Sequence, residues 1–222
     1  MLSLSAVTNR MAPMISVSGT AERAVKSFGF SVLLSFVWCF LSRSHVRSLL
    51  HDFRWMELVW VIYNLTLAVL FLIRSRPTAI SLNPLHWVVA LVTSFSGMFF
   101  QRIDVADDRL RAVGDSVVLV GLVMSGASAV ALGRSYDVFP ALRSVATRSL
   151  YRVVRHPMYL ASIVMRLGYM VGNVSAYNVA VFAGMVLLYT KRAAFEEAIL
   201  RNDARYAAYL DRVRFRFVPF VY

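Results

Sequence analysis

The chain has 222 residues, of which 59% are hydrophobic and 16% charged, and its mean hydropathy is +0.61. These values exceed what the core of a soluble domain requires, so they exclude an ordinary soluble protein and predict an integral membrane protein. Lys and Arg outnumber Asp and Glu by 24 to 12. Because this excess lies in short segments between apolar runs, it argues against nucleic acid as a partner and favours anionic membrane lipids.

The first segment, residues 1–25, contains Ser, Thr and Arg but no apolar run long enough for a secretory signal. We expect a flexible N-terminal tail here. A transit peptide is the alternative, because no acidic residue precedes Glu22.

Six apolar runs follow, and a helix satisfies its own backbone hydrogen bonds where no water is present. The runs cover residues 28–41, 55–73, 85–100, 117–132, 158–171 and 176–189. The first is short for a crossing, whereas Asn83 and Pro84 provide a helix cap and a first helical residue for the third. The predicted fold class is therefore all-α, a polytopic membrane protein with about five to six transmembrane helices.

The fourth run carries small residues at steps of four, namely Gly121, Ser125, Ala129 and Gly133. Such a stripe lets another helix approach closely, and we assign it to helix packing rather than to chemistry.

The last two runs are separated only by residues 172–175, which predicts a tight helical hairpin. The second arm continues without a breaker into the polar residues 191–210, so we expect this helix to leave the bilayer and continue into water. The basic segments predict that the N-terminus, the loop 134–155 and the C-terminal tail face the cytoplasm. Arg43, Arg47 and Arg54 fall on the other side, against that rule.

Two polar clusters flank the hairpin. In the first, Pro157 suits the first turn of a helix, so Arg155 and His156 lie at a helix N-terminus. Free N–H groups, the helix dipole and an arginine together favour a carboxylate or phosphate. The simpler alternative is that Arg155 is a membrane anchor and His156 an interfacial histidine.

The second cluster is Arg192, Glu196 and Glu197, whose carboxylates suit an ammonium group. On a helix Arg192 and Glu196 share one face, with Glu197 about 100 degrees round. The simpler alternative is that Arg192 and Glu196 form an ordinary ion pair in contact with solvent. An anion site and a cation site at one end of a hairpin would together suit a ligand such as S-adenosylmethionine, which carries a carboxylate and an ammonium side by side.

The run Arg155-His156-Pro157-Met158-Tyr159, the hairpin, and then Arg192 with Glu196 and Glu197 follow in an order that resembles the isoprenylcysteine carboxyl methyltransferase family and its phospholipid methyltransferase relatives. The resemblance covers residues 132–222. It implies methyl transfer from S-adenosylmethionine to a lipid-like or lipidated acceptor, with O-methylation of an isoprenylcysteine carboxylate favoured. Residues 26–132 would then be N-terminal transmembrane helices and residues 133–222 the catalytic region, in one integrated membrane domain.

Site residues follow from this resemblance and from the anion pocket. We expect five to bind the cofactor: Arg155, His156, Pro157, Tyr159 and Glu197. Arg192 and Glu196 match the pair that the family places beside the methyl acceptor. Ala161 departs from the family pattern, because relatives often have glycine at that position.

Other functions stay open at this point. A phospholipid or small hydrophobic metabolite is an alternative acceptor, by N- or S-methylation. An NADPH-dependent sterol-reductase-like enzyme and a non-catalytic membrane protein are further alternatives. The reductase is disfavoured because Glu196 and Glu197 would repel a phosphate.

The four scattered histidines predict no metal site. The tail 212–220 alternates basic and apolar residues, and we expect it at the membrane surface.

Overall fold

The computed structural model describes residues 28–75, 79–81, 83–103, 107–139, 141–142, 146–201 and 203–219. The predicted N-terminal tail lies outside these residues. Seven α-helices lie within the described part of the chain, and the first six correspond in order to the six predicted apolar runs, although the third helix covers only part of its run. The all-α fold class is therefore confirmed.

Helices α1 (Phe28–His51) and α2 (Trp55–Ile73) pack against each other. Helix α2 has the predicted bounds, whereas α1 continues ten residues beyond the predicted end. At the far end of α2, Arg74 forms an ion pair of 2.7 Å with Asp137, and both side chains are buried. This pair fastens the first two helices to the loop that follows α4.

Helix α3 (Pro84–Ser94) begins as predicted, because the Asn83 side chain accepts a hydrogen bond from the backbone of Leu85. The predicted end at residue 100 is wrong. The α-helix stops at Ser94, and a short 3₁₀ helix (Ser96–Phe99) follows. The hydroxyls of Thr93 and Ser94 donate to the carbonyls of the preceding turn, and such bonds weaken the helix ladder.

Helices α4 (Asp108–Leu132) and α5 (Pro157–Gly172) form the closest pair in the bundle. A Cβ on Gly168 would lie 2.6 Å from the Gly114 carbonyl oxygen, and a Cβ on Gly121 would lie 2.6 Å from Met165 Cγ. The predicted packing role of the small-residue stripe is confirmed at Gly121, but Gly133 instead ends α4 with a φ of 51°.

The predicted hairpin is present. Residues 173–175 join α5 to α6 (Ala176–Leu200), and the fully buried Asn178 ties this turn to the segment after the 3₁₀ helix by bonding both backbone groups of Gln101. The expected continuous helix to residue 210 is wrong. The chain turns after Leu200, and a separate helix α7 (Ala204–Arg212) starts where the Asp203 side chain caps it.

Two strands of two residues, β1 (Ala79–Ile80) and β2 (Ala141–Leu142), pair antiparallel and join the loops after α2 and α4 at one end of the bundle.

The helices that cover residues 28–51, 55–73 and 108–135 are long and apolar enough to cross a membrane. Large apolar side chains such as Phe36, Leu65 and Val123 are exposed on these helices, as a lipid-facing surface requires. The chain is an integral membrane protein.

Candidate active site

The N-terminus of α5 is held in place by the C-terminal tail. Val154 pairs with Phe215 in a parallel bridge, and the backbone N–H groups of Arg155 and His156 donate to the carbonyls of Phe215 and Arg216 at 2.9 and 3.0 Å. Phe217 is buried beside the His156 ring. This part of the tail is therefore packed against the start of α5, and its expected position at the membrane surface stays a prediction.

Pro157 occupies the first turn of α5 and is fully buried, as its fixed backbone angle suits that position. The backbone N–H of the next residue, Met158, has no hydrogen-bond acceptor among the described residues. One N–H group at the positive end of the helix dipole thus remains available, beside the Arg155 guanidinium.

Glu197 lies at the centre of a group of cations. Its carboxylate is 3.2 Å from His156 Nε2 and accepts bonds of 3.0 and 2.8 Å from Arg216, while Arg155 lies 3.6 Å away. Only 2% of this residue is exposed. Burial raises the pKa of Glu197, but the hydrogen bonds from His156 and Arg216 outweigh it and hold that pKa at about 2. The residue is therefore a buried anion that fixes the cations around it.

Glu196 has a different position from its neighbour. It lies at the edge of an open cavity, with its side chain 20% exposed, and accepts a short hydrogen bond from the Tyr159 hydroxyl. Its carboxylate is 3.6 Å from Arg192 Nε. The His156 ring stacks on Tyr159, with ring centres 5.3 Å apart. The structure thus brings together the two clusters that are separate in sequence.

Arg192 is almost completely buried and is bound to α3 and the loop after α4. Its Nη1 donates to Thr93 Oγ1 at 2.7 Å and to Ser94 Oγ at 3.2 Å, and its Nη2 donates to the Val138 carbonyl. The guanidinium also lies over the Tyr159 ring, 4.9 Å from its centre. Its Nε has no hydrogen-bond partner among the residues that the structure describes. An ordinary solvated pair with Glu196 is therefore excluded.

A cavity of about 130 Å³ is enclosed between α5, α6, α7 and the loop after α4. Polar lining groups include Asp137, Arg155, His156, Tyr159 and Glu196. We call it the outer cavity. Pro157 and Glu197 support this lining without forming part of it.

Three tyrosines that the sequence did not assign to the site also line the outer cavity: Tyr151, Tyr206 and Tyr209. Tyr209 donates to the Tyr151 carbonyl at 2.7 Å, whereas the buried Tyr206 hydroxyl has no hydrogen-bond partner among the described residues. Burial, followed by the Glu197 charge, raises the pKa of Tyr206. The hydroxyl thus stays protonated and can donate to a ligand. Tyr206 and Tyr209 are three residues apart on the amphipathic α7, which places them on one face of that helix.

A second space of about 120 Å³ lies deeper, between α2, α3, α5 and α6. This inner cavity shares Asp137, Met158 and Tyr159 with the outer cavity. Arg192 lines the inner cavity and Glu196 the outer one. The two members of the predicted catalytic pair therefore flank the junction between the cavities.

The fold and site define a helical membrane protein with a charged, aromatic-lined cavity at one end of its helix bundle. Residues 110–203 match the family model described as phospholipid methyltransferase. These residues form a phospholipid methyltransferase domain and belong to the family of membrane methyltransferases that also includes the isoprenylcysteine carboxyl methyltransferases. No curated protein matches the chain in sequence.

Proposed function

We propose that this protein transfers a methyl group from S-adenosylmethionine to an acceptor carried by a lipid, at the junction of the outer and inner cavities. The observation that carries the proposal is the position of Tyr159, which lines both cavities and lies between Glu196 and Arg192. Two contiguous cavities that meet at one polar point suit a reaction between two bound molecules.

The residues of the outer cavity fit the cofactor. Arg155 and the Met158 N–H lie at a helix N-terminus, where a carboxylate is favoured. Glu196 supplies a carboxylate for the ammonium group, and Tyr206 offers an unbonded hydroxyl within an aromatic wall. S-adenosylmethionine would supply a methyl group that its sulfonium already activates. Pro157 and Glu197 would contribute by shaping and fixing the helix start rather than by direct contact.

The protein's main contribution is then to hold the acceptor, the methyl group and the sulfur in line and to exclude water. Both effects together lower the barrier to methyl transfer by several kcal/mol. Arg192 is held by α3 and the loop after α4, so its guanidinium orients Glu196 and Tyr159 with little freedom. The tail holds the segment before α5 in place through the Val154–Phe215 bridge.

The acceptor determines the role of the junction residues. For a carboxylate of the isoprenylcysteine type, which the resemblance favours, Arg192 Nε is the donor that remains for the anion. For a phospholipid amine, which the family description favours, Glu196 is the carboxylate placed to accept a proton. The catalytic face is cytoplasmic in this proposal, because the loop 134–155 and the tail carry many arginines.

Equilibrium binding of radiolabelled S-adenosylmethionine to the protein in lipid nanodiscs tests the cofactor. We expect saturable binding by the wild type, a loss of at least tenfold in His156→Ala and Glu196→Gln, and no change in Lys191→Gln. Lys191 is a matched control, since it is exposed and adjacent to Arg192 but lines neither cavity. Absence of binding by a folded wild type would refute the proposal.

Incubation with labelled cofactor and either a prenylated cysteine peptide or phosphatidylethanolamine then separates the acceptors. A methyl ester releases volatile methanol in alkali, whereas an N-methyl group is retained. Label on neither acceptor, despite cofactor binding, would reject both acceptor classes while leaving the cofactor assignment intact.

A further inference from the structure

A third cavity, of about 490 Å³, opens near the end of α5 that is remote from Pro157, and it shares Trp60, Met165 and Arg166 with the inner cavity. It opens between the end of α1, the start of α2, the start of α4 and the end of α5, and we call it the distal cavity. Its volume is larger than that of the outer or inner cavity. Neither the proposed reaction nor the family match gives it a role.

The charged group that lies in the middle of the apolar helix α5 is Arg166, which is half-buried and lines the distal cavity. It lies nine residues after Pro157 on α5, which places it about 13 Å along the helix from the candidate active site. Its Nε donates to Ser96 Oγ at 2.9 Å, and its terminal nitrogens lie over Gly97, where a Cβ would be 3.5 Å from Nη2. Those terminal nitrogens have no acceptor, and the guanidinium has no carboxylate partner, among the described residues.

An arginine at this depth is costly unless a counter-charge is present, and such residues usually mark a binding site or a charge pair. The other arginines lining the distal cavity are Arg54, Arg102 and Arg111. Two carboxylates also line it. Glu57 is 2.7 Å from His45 Nδ1, and Asp115 is exposed and makes no ion pair within the described residues. Positive charge therefore exceeds negative charge in this cavity.

The remaining lining suits a molecule that is partly apolar. Trp60, Phe100 and Met165 form apolar walls beside the arginines. A polar head with negative charge and an apolar body would thus match both kinds of surface. A planar, forked guanidinium binds a phosphate through two parallel hydrogen bonds, and phosphate is the anionic group that membrane phospholipids carry.

We propose that the distal cavity binds the phosphate group of an anionic phospholipid, with Arg166 as the main contact and Arg102 and Arg111 at the entrance. The site shares none of the residues proposed to bind the cofactor.

Native mass spectrometry of the full chain in detergent, titrated with dioleoyl phosphatidic acid, tests the proposal. We expect one saturable lipid, bound at least tenfold more weakly by Arg166→Gln. Arg166→Lys keeps the charge but not the fork and should weaken binding several-fold. Arg47→Gln changes the net charge equally, and Arg47 is exposed outside the cavity, so binding should be unchanged.

Two further arms identify the source of the phosphate. Dioleoylglycerol, which lacks the phosphate, should not bind at this site. Displacement of the lipid by millimolar inorganic phosphate would show that the phosphate group alone suffices, whereas no displacement would show that the lipid body is also required; both results support a phosphate site.

Equal lipid binding by the wild type, Arg166→Gln and Arg166→Lys would overturn the proposal, as would equal binding of dioleoylglycerol. If Arg166→Gln does not fold, Arg111→Gln at the entrance replaces it, and unchanged binding in that variant together with Arg166→Lys is equally contradictory. Arg166 lines the inner and distal cavities but not the outer one, so radiolabelled S-adenosylmethionine should bind Arg166→Lys as it binds the wild type. The distal site and the proposed cofactor site therefore fail or succeed separately.

Discussion

Replacement by glutamine should affect the two adjacent glutamates of α6 differently: at Glu197 it should mainly lower stability, and at Glu196 it should mainly lower activity. Glu197 is 2% exposed and surrounded by His156, Arg155 and Arg216, whereas the Glu196 side chain is 20% exposed and faces the outer cavity. We expect Glu197→Gln to lower the free energy of unfolding strongly. Glu196→Gln should change it by less than about 1 kcal/mol while abolishing most methyl transfer.

The magnitude for Glu197 follows from its pKa. The change from 4.5 to about 2 corresponds to about 3 kcal/mol of stabilisation at neutral pH. Because the pKa is lower in the folded state, this stabilisation is complete above about pH 5 and is lost as the pH falls towards 2. The difference between wild type and Glu197→Gln should therefore decrease to about 1.4 kcal/mol at pH 3.

Unfolding by SDS in mixed micelles, followed by circular dichroism at pH 7 and pH 3, measures both quantities. The reasoning is refuted if Glu197→Gln unfolds with the wild type at pH 7. It is refuted equally if the deficit of Glu197→Gln is the same at both pH values, since the pH dependence is what distinguishes a lost carboxylate from a general packing defect.

Two further predictions concern helix packing and the cofactor. Gly168→Ala should cost about 1–3 kcal/mol of unfolding free energy because its Cβ would meet the α4 backbone, whereas Gly126→Ala has open space and should be neutral or stabilising in the same SDS titration; equal stability of the two variants would contradict the close helix approach. Tyr206→Phe should weaken S-adenosylmethionine binding about two- to tenfold without loss of stability, because the removed hydroxyl bonds no described residue; unchanged affinity in the nanodisc assay would remove Tyr206 from the site.

Local signals in the sequence predicted much of the fold. Asn83 before Pro84 marked the start of α3, and residues 172–175 marked the hairpin, because capping and turn formation depend on neighbouring residues. The end of α3 was not predictable in this way. Its last turn bonds to Arg192, about a hundred residues later, and no local pattern contains that contact.

The candidate active site likewise has features that the sequence predicts and features that depend on distant contacts. Pairing of the two hairpin ends followed from the order of the motifs, so Tyr159 and Glu196 were predicted and are in contact. The different roles of Glu196 and Glu197 were not predictable, because Arg216 reaches Glu197 only after the tail folds back. Tyr206 was missed for a similar reason: α7 is separated from α6 by a turn whose direction the sequence does not reveal.

The pairing of Val154 with Phe215 has a consequence for how the protein is made. Residues 213–217 leave the ribosome after all six bundle helices, which can already have entered the membrane by then. Until those residues arrive, the backbone N–H groups of Arg155 and His156 lack their carbonyl acceptors. The Glu197 carboxylate lacks its hydrogen bonds from Arg216. Insertion into the bilayer and completion of the site are therefore separate steps in biogenesis, and a nascent chain stalled before residue 213 would be membrane-integrated with an unfinished site.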